Sequence, residues 1–165
     1  MDPIQIPESL NPGLIYRLNG GFGFRIAGDN AHNDGILGTL EIGYQTRRIG
    51  KYFSFESGSS LDLFGETEHL AAYFQINYHP DARWVLSLRS LWGGVSDEKE
   101  KAAVGEDKQD FGLIANGCLQ GSYRLDQNFY IGLRSGLEWQ VFGKSGGDQG
   151  TQVGLVSYLN LAYHH

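Results

Sequence analysis

The stretch Leu14-Ile15-Tyr16-Arg17-Leu18-Asn19-Gly20-Gly21-Phe22-Gly23-Phe24-Arg25-Ile26 sets the reading of the whole chain. Leu14, Tyr16, Leu18, Phe22, Phe24 and Ile26 fall on even positions, with Arg17, Asn19, Gly21, Gly23 and Arg25 between them. Successive side chains of a β-strand point to opposite faces, so a repeat of two gives one apolar face and one small or polar face.

Seven further segments repeat the pattern. They are residues 36–46 (Ile36, Leu40, Ile42, Tyr44 on the apolar face), 52–64 (Phe53, Phe55, Leu61, Leu63), 68–78 (Leu70, Phe74, Ile76, Tyr78) and 84–93 (Trp84, Leu86, Leu88, Trp92). The last three are 111–125 (Phe111, Leu113, Leu119, Tyr123), 129–142 (Phe129, Ile131, Leu133, Leu137, Trp139) and 153–163 (Val153, Leu155, Leu159, Leu161, Tyr163). The spacing predicts eight strands, most of them far longer than the roughly 5 or 6 residues of an ordinary strand. Pro3, Pro7 and Pro12 precede the first strand and Pro80 sits in a turn, so no proline interrupts a ladder.

Short joins at 47–51, 79–83 and 126–128 alternate with longer, polar, Gly-rich ones, apart from the short Gly65-Glu66-Thr67. The charged run in 94–110 reads as a solvated loop. The domain organisation expected is a Pro-containing N-terminal tail over 1–12, one barrel over 13–163, and a terminal His164-His165 pair of the kind a tag leaves.

Composition excludes several functions. The chain has 165 residues, enough for one domain, and a net charge of -6, which argues against a nucleic-acid groove. Its single cysteine, Cys118, excludes an internal disulfide framework and reads as a small packed residue. The start of the chain lacks the basic and apolar regions of a signal peptide, so an exported form would be a mature one with an added Met.

Eight amphipathic strands close either as a soluble barrel with the apolar face inward or as a membrane barrel with that face toward lipid. The apolar faces above hold thirty-six large side chains, fifteen of them aromatic. An eight-stranded interior is only just wide enough to be filled by side chains, so this set does not fit inside. The other face carries Gly21, Gly23, Gly43, Gly58, Gly93, Gly112, Gly132, Gly136 and Gly154, which suit a narrow lumen. All five lysines lie in connections, whereas Arg17, Arg25, Arg89, Arg124 and Arg134 lie on the polar face.

Aromatics fall into two groups, as membrane barrels require at their two interfaces. Tyr16, Tyr44, Phe53, Tyr78, Trp84, Tyr123, Phe129 and Tyr163 group toward the short joins, and Phe24, Trp92, Phe111 and Trp139 toward the other end. On these residues the chain resembles the small eight-stranded outer-membrane barrels of the OmpA, OmpX and OmpW type. The resemblance implies an all-β, antiparallel up-and-down transmembrane β-barrel in a Gram-negative outer membrane, with periplasmic termini. Implied partners are outer-membrane lipid and lipopolysaccharide, and the barrel-assembly machinery, which would read Leu155, Leu159, Leu161 and Tyr163 as the terminal signal.

Some small membrane barrels modify lipids, one through a His-x-Ser pair with a Glu and another through His, Asp and Ser at the outer rim. His32-Asn33-Asp34 has no Ser at that spacing, and His69 beside Glu68 has no fixed nucleophile or orienter. His79 reads as a turn residue. Gly143-Lys144-Ser145-Gly146-Gly147 lacks the spacing of a phosphate loop. The expectation is therefore a non-enzymatic envelope, adhesion or small-solute barrel without cofactor or metal. The alternatives are a lipid-modifying enzyme in the membrane and a soluble lipocalin-like barrel. Inside the barrel, Arg17, Glu41, Glu56, Arg89, Arg134 and Glu138 are expected to form an ion-pair network. Counting up from the short joins puts Glu41 and Glu56 level with Arg17, Arg89 and Arg134, where they would plug the lumen.

Overall fold

Each alternating segment is a strand. A computed structural model of the protein describes residues 12–27, 35–64, 67–97, 110–143 and 149–165. They form β1 (Gly13–Ala27), β2 (Gly35–Gln45), β3 (Phe53–Phe64), β4 (Thr67–Tyr78), β5 (Trp84–Asp97), β6 (Asp110–Arg124), β7 (Phe129–Gly143) and β8 (Gln149–His164). Consecutive strands pair antiparallel, and β1 pairs with β8 from Ile15↔His164 to Ala27↔Val153, closing a barrel in the order β1 to β8. Closure removes both sheet edges, so every strand has hydrogen-bonding neighbours on its two sides.

Two strands outrun the sequence pattern. Gly93-Gly94 supplies no side chain and so hides the alternation, but β5 continues to Asp97, which pairs with Thr67 and Asp110. The polar start of β8 hides it similarly, although Gln149 pairs with Gly143. At the other end β8 takes in His164, and His165 N donates to the Leu14 carbonyl at 2.9 Å. His164 is thus part of the closing ladder, with His165 hydrogen-bonded beside it.

The face assignment follows parity around the whole barrel. Phe22, Phe24, Leu70, Trp92, Leu113, Leu119 and Leu133 point outward and are more than half exposed, while Arg17, Asn19, Glu41, Glu56, Gln75, Arg89 and Asn160 point inward and are buried. At the short-join end each of three hairpins packs a tilted or edge-on aromatic pair across its strands. The centroids are 5.4 Å apart for Phe53–Tyr78, 5.1 Å for Trp84–Tyr123 and 5.0 Å for Phe129–Tyr163. Tyr16 and Tyr44 face outward in the same belt. Trp92 and Trp139 face outward in the halves of β5 and β7 nearer the other end. The side chain of Phe111, like residues 1–11, His32 and the run 98–109, lies outside the described residues.

The turns are held by aspartates. Asp81 Oδ1 accepts from the amides of Arg83 and Trp84 at 2.7 and 2.8 Å, and Asp126 Oδ1 from those of Asn128 and Phe129 at 2.7 and 2.8 Å. These bonds hold both carboxyls below their ordinary pKa.

Candidate functional site

The inward residues of β1, β2, β3, β5 and β7 meet in the middle of the lumen. Glu41 lies between two arginines: Arg89 donates through both terminal nitrogens at 2.8 and 2.9 Å, and Arg134 donates at 3.0 and 3.4 Å. Arg17 forms a second two-pronged pair with Glu56, donating to Oε2 at 2.6 Å and also to Oε1. Arg17 also approaches Glu41 at 3.9 Å, which joins the two pairs into one cluster. All five side chains are nearly inaccessible to solvent. The planar guanidinium fork matches a carboxylate edge, and in a confined low-dielectric space such pairs persist only when fully hydrogen-bonded.

Glu138 sits four residues beyond Arg134 along β7, away from the short-join end. There it accepts from Asn116 Nδ2 at 3.4 Å and Gln140 Nε2 at 3.1 Å. These two amides extend the polar lumen on that side of the central cluster.

Two tyrosines absent from the sequence reading complete the centre. Tyr73 donates its hydroxyl to Glu56 Oε1 at 2.6 Å, and its ring lies 3.8 Å from the Arg89 guanidinium carbon. The Tyr158 ring lies 4.8 Å from the Arg134 guanidinium carbon. Three arginines face two glutamates here, and the negative faces of the rings supply further stabilisation for the excess cation. Gly43 makes room: a Cβ there would collide with the Tyr73 hydroxyl. Above lies an inward apolar group of Ala71, Tyr73, Leu91, Val95 and Ile114. The signal for these residues was their lumen parity, which the small and polar character of their neighbours obscured.

Toward the short joins the lumen continues as an amide network. Ser54 Oγ contacts His79 Nε2 at 2.9 Å and accepts from Gln45 at 3.1 Å, while Asn77 Oδ1 accepts from Gln75 and Ser87, both at 2.7 Å. Gln75, Gln120 and Arg17 line a cavity of about 20 Å³ there, room for roughly one water. Burial pushes the His79 imidazole, which follows β4, down to about 4, and Arg48 and Arg124 act in the same direction.

Toward the other end, one hairpin brings together residues that the sequence left apart. His69 Nδ1 is 2.6 Å from Asp62 Oδ2, and its Nε2 is 3.4 Å from Ser60 Oγ. The order carboxylate, imidazole, hydroxyl is that of an activated nucleophile. Ser60 is, however, only 1% exposed. The side chain of Glu68 lies outside the described residues.

An eight-stranded antiparallel up-and-down β-barrel is the fold of small outer-membrane barrels, and known structures match it. Neisserial surface protein A (NspA) matches with a TM-score of 0.52 at 11% identity, over 96% of this chain and 100% of that one. Ail, the attachment invasion locus protein of Yersinia pestis, in complex with the heparin analogue sucrose octasulfate, matches with a TM-score of 0.50 at 9% identity, over 93% and 96%. At such identities the likeness establishes the fold. No family model and no curated protein matches the chain.

Proposed function

We propose that the protein is an integral outer-membrane barrel whose lumen is sealed by the arginine–glutamate cluster, and that it serves the envelope without catalysis. The observation that carries this reading is the outer wall, where Leu88, Trp92, Leu113, Leu119 and Leu133 are each 57% exposed or more over a charged interior. Water would not tolerate that wall, and lipid requires it. The short turns and both chain ends then face the periplasm, and lipid and lipopolysaccharide bathe the wall. Leu155, Leu159 and Leu161, outward in β8, together with Tyr163 supply the segment read by the barrel-assembly machinery.

The seal is tested by planar-bilayer recording. The parent chain is expected to show no steady conductance. Large, steady single-channel currents would overturn the seal, and a monodisperse protein without detergent would overturn the membrane reading altogether.

One observation favours a second reading, a lipid-modifying enzyme: the Ser60–His69–Asp62 contact. Acyl release from a lipid extract, abolished by both Ser60→Ala and His69→Ala in correctly folded barrels, would establish it in place of the first.

A further inference from the structure

The outer wall carries a groove of about 490 Å³ at the short-join end, bounded by Phe53, Tyr78, Leu86, Leu88, Leu119 and Gly121. Gly121 opens it. A Cβ at that position would meet only Leu86 Cδ2, at 3.9 Å, so the space is a gap in the wall and not a strained packing defect. Tyr78 lines it on one side, and the Trp84–Tyr123 pair stands two residues beyond Leu86 and Gly121 toward the short joins.

A cation stands beyond each side. Lys51 Nζ lies 5.3 Å from the Tyr52 ring, which in turn packs on Tyr78 at 6.0 Å. Arg83 Nη1 donates to the Tyr123 hydroxyl at 2.8 Å. Both basic side chains are exposed. Arg47, Arg48 and Arg124 share this rim, whose described acids are Asp81 and Asp126, each with one carboxylate oxygen held by backbone amides. The rim is thus net cationic in a chain that is net anionic. Aromatic belts sit at the depth of lipid headgroups, so these cations stand where phosphates lie.

We propose that this groove binds one anionic glycerophospholipid of the leaflet at the short-join end, an acyl chain lying over Gly121 and the headgroup phosphate between Lys51 and Arg83. The site rests on the membrane reading above. A zwitterionic lipid offers the same chains but no net charge for the two cations to neutralise. Each cation is therefore expected to add about a fivefold preference at low ionic strength.

The test uses the full chain refolded into phosphatidylcholine vesicles, with Trp92→Phe and Trp139→Phe leaving Trp84 as the reporter. Brominated phosphatidylglycerol or brominated phosphatidylcholine is added at equal mole fraction and quenching of Trp84 is read. Quenching favouring the anionic lipid at least fivefold, lost in Lys51→Gln/Arg83→Gln and diminished for both lipids by Gly121→Leu, supports the site. Equal quenching by the two lipids, or a preference unchanged in the Gln variant, overturns it. Loss of the preference on adding millimolar glycerol phosphate would show a headgroup-only anion site and overturn the groove. Absence of quenching by either lipid would instead mean that the barrel is not in the bilayer, a failure of the membrane reading and not of the site.

Discussion

Leu88 and Arg89 are consecutive in β5, yet the hydrocarbon side chain is 57% exposed and the guanidinium 1%. In a water-soluble domain those numbers would be exchanged. The barrel wall is one residue thick, and alternate side chains belong to two solvents. Outside, the requirement is absence of charge; inside, it is complete pairing of charge. The two requirements fail differently, since an outward error is a matter of depth and an inward error a matter of lost partners.

The largest expected effect lies inside. Glu41→Ala leaves Arg89 and Arg134 without the carboxylate that both grasp, and the expected loss is about 3–5 kcal/mol, that of breaking a buried pair. Urea unfolding from lipid vesicles measures it. A loss no larger than that of a lumen Ser→Ala change would show that water fills the centre, and would erase the contrast between the two faces. Next comes Leu88→Arg, one residue away on the other face, expected to cost about 2–4 kcal/mol at mid-depth. If that variant folds into vesicles as readily as the parent, the outward face is not in hydrocarbon.

How much of this could be read from the sequence follows from what alternation encodes. Parity assigns a face and residue counting assigns a height, which is why Arg17, Glu41, Glu56, Arg89 and Arg134 group together on the sequence alone. Parity does not give cross-strand register, and the meeting of Asp62 and His69 across a hairpin depends on register alone. Nor does it weigh residues that suit either face. Tyr73 and Val95 are apolar enough for the wall, but Tyr73 is needed under Arg89 and Val95 packs above it, and only the closed barrel shows the volume left for them. Strand ends were legible where Pro80 or a charged join marked them and illegible at Gly94 and Gly150, where glycine interrupts the pattern without interrupting the ladder.

His79 marks the border between the two solvents, at the end of the lumen and outside the strands. Its pKa falls from 6.5 to about 4 in the folded barrel, so the unfolded chain binds a proton first as the pH is lowered. Stability is then complete above about pH 6.5 and declines as the pH falls toward 4, by on the order of 2 kcal/mol. His79→Gln should flatten the urea midpoint across that window. A profile unchanged by the substitution would assign the slope to other groups.

The smallest effect expected is at the belts, and it sharpens the outside half of the comparison. Trp84 is the first residue of β5 and Leu88 is four residues deeper on the same outward face. An arginine at position 84 can extend its guanidinium into the headgroup layer while its methylenes remain among the chains, whereas one at 88 must carry its charge through hydrocarbon. Depth-dependent costs fall to about 0–1 kcal/mol near an interface. Trp84→Arg and Trp92→Arg are therefore expected to lower stability by less than Leu88→Arg, with some loss of ring contact added at Trp84, which packs on Tyr123. The measurement is the set of three urea midpoints in one vesicle composition. Equal losses at all three would mean that the outward face has no depth profile. A loss at Trp92 matching that at Leu88, with Trp84 spared, would place the second belt deeper in the chains than its position along β5 implies.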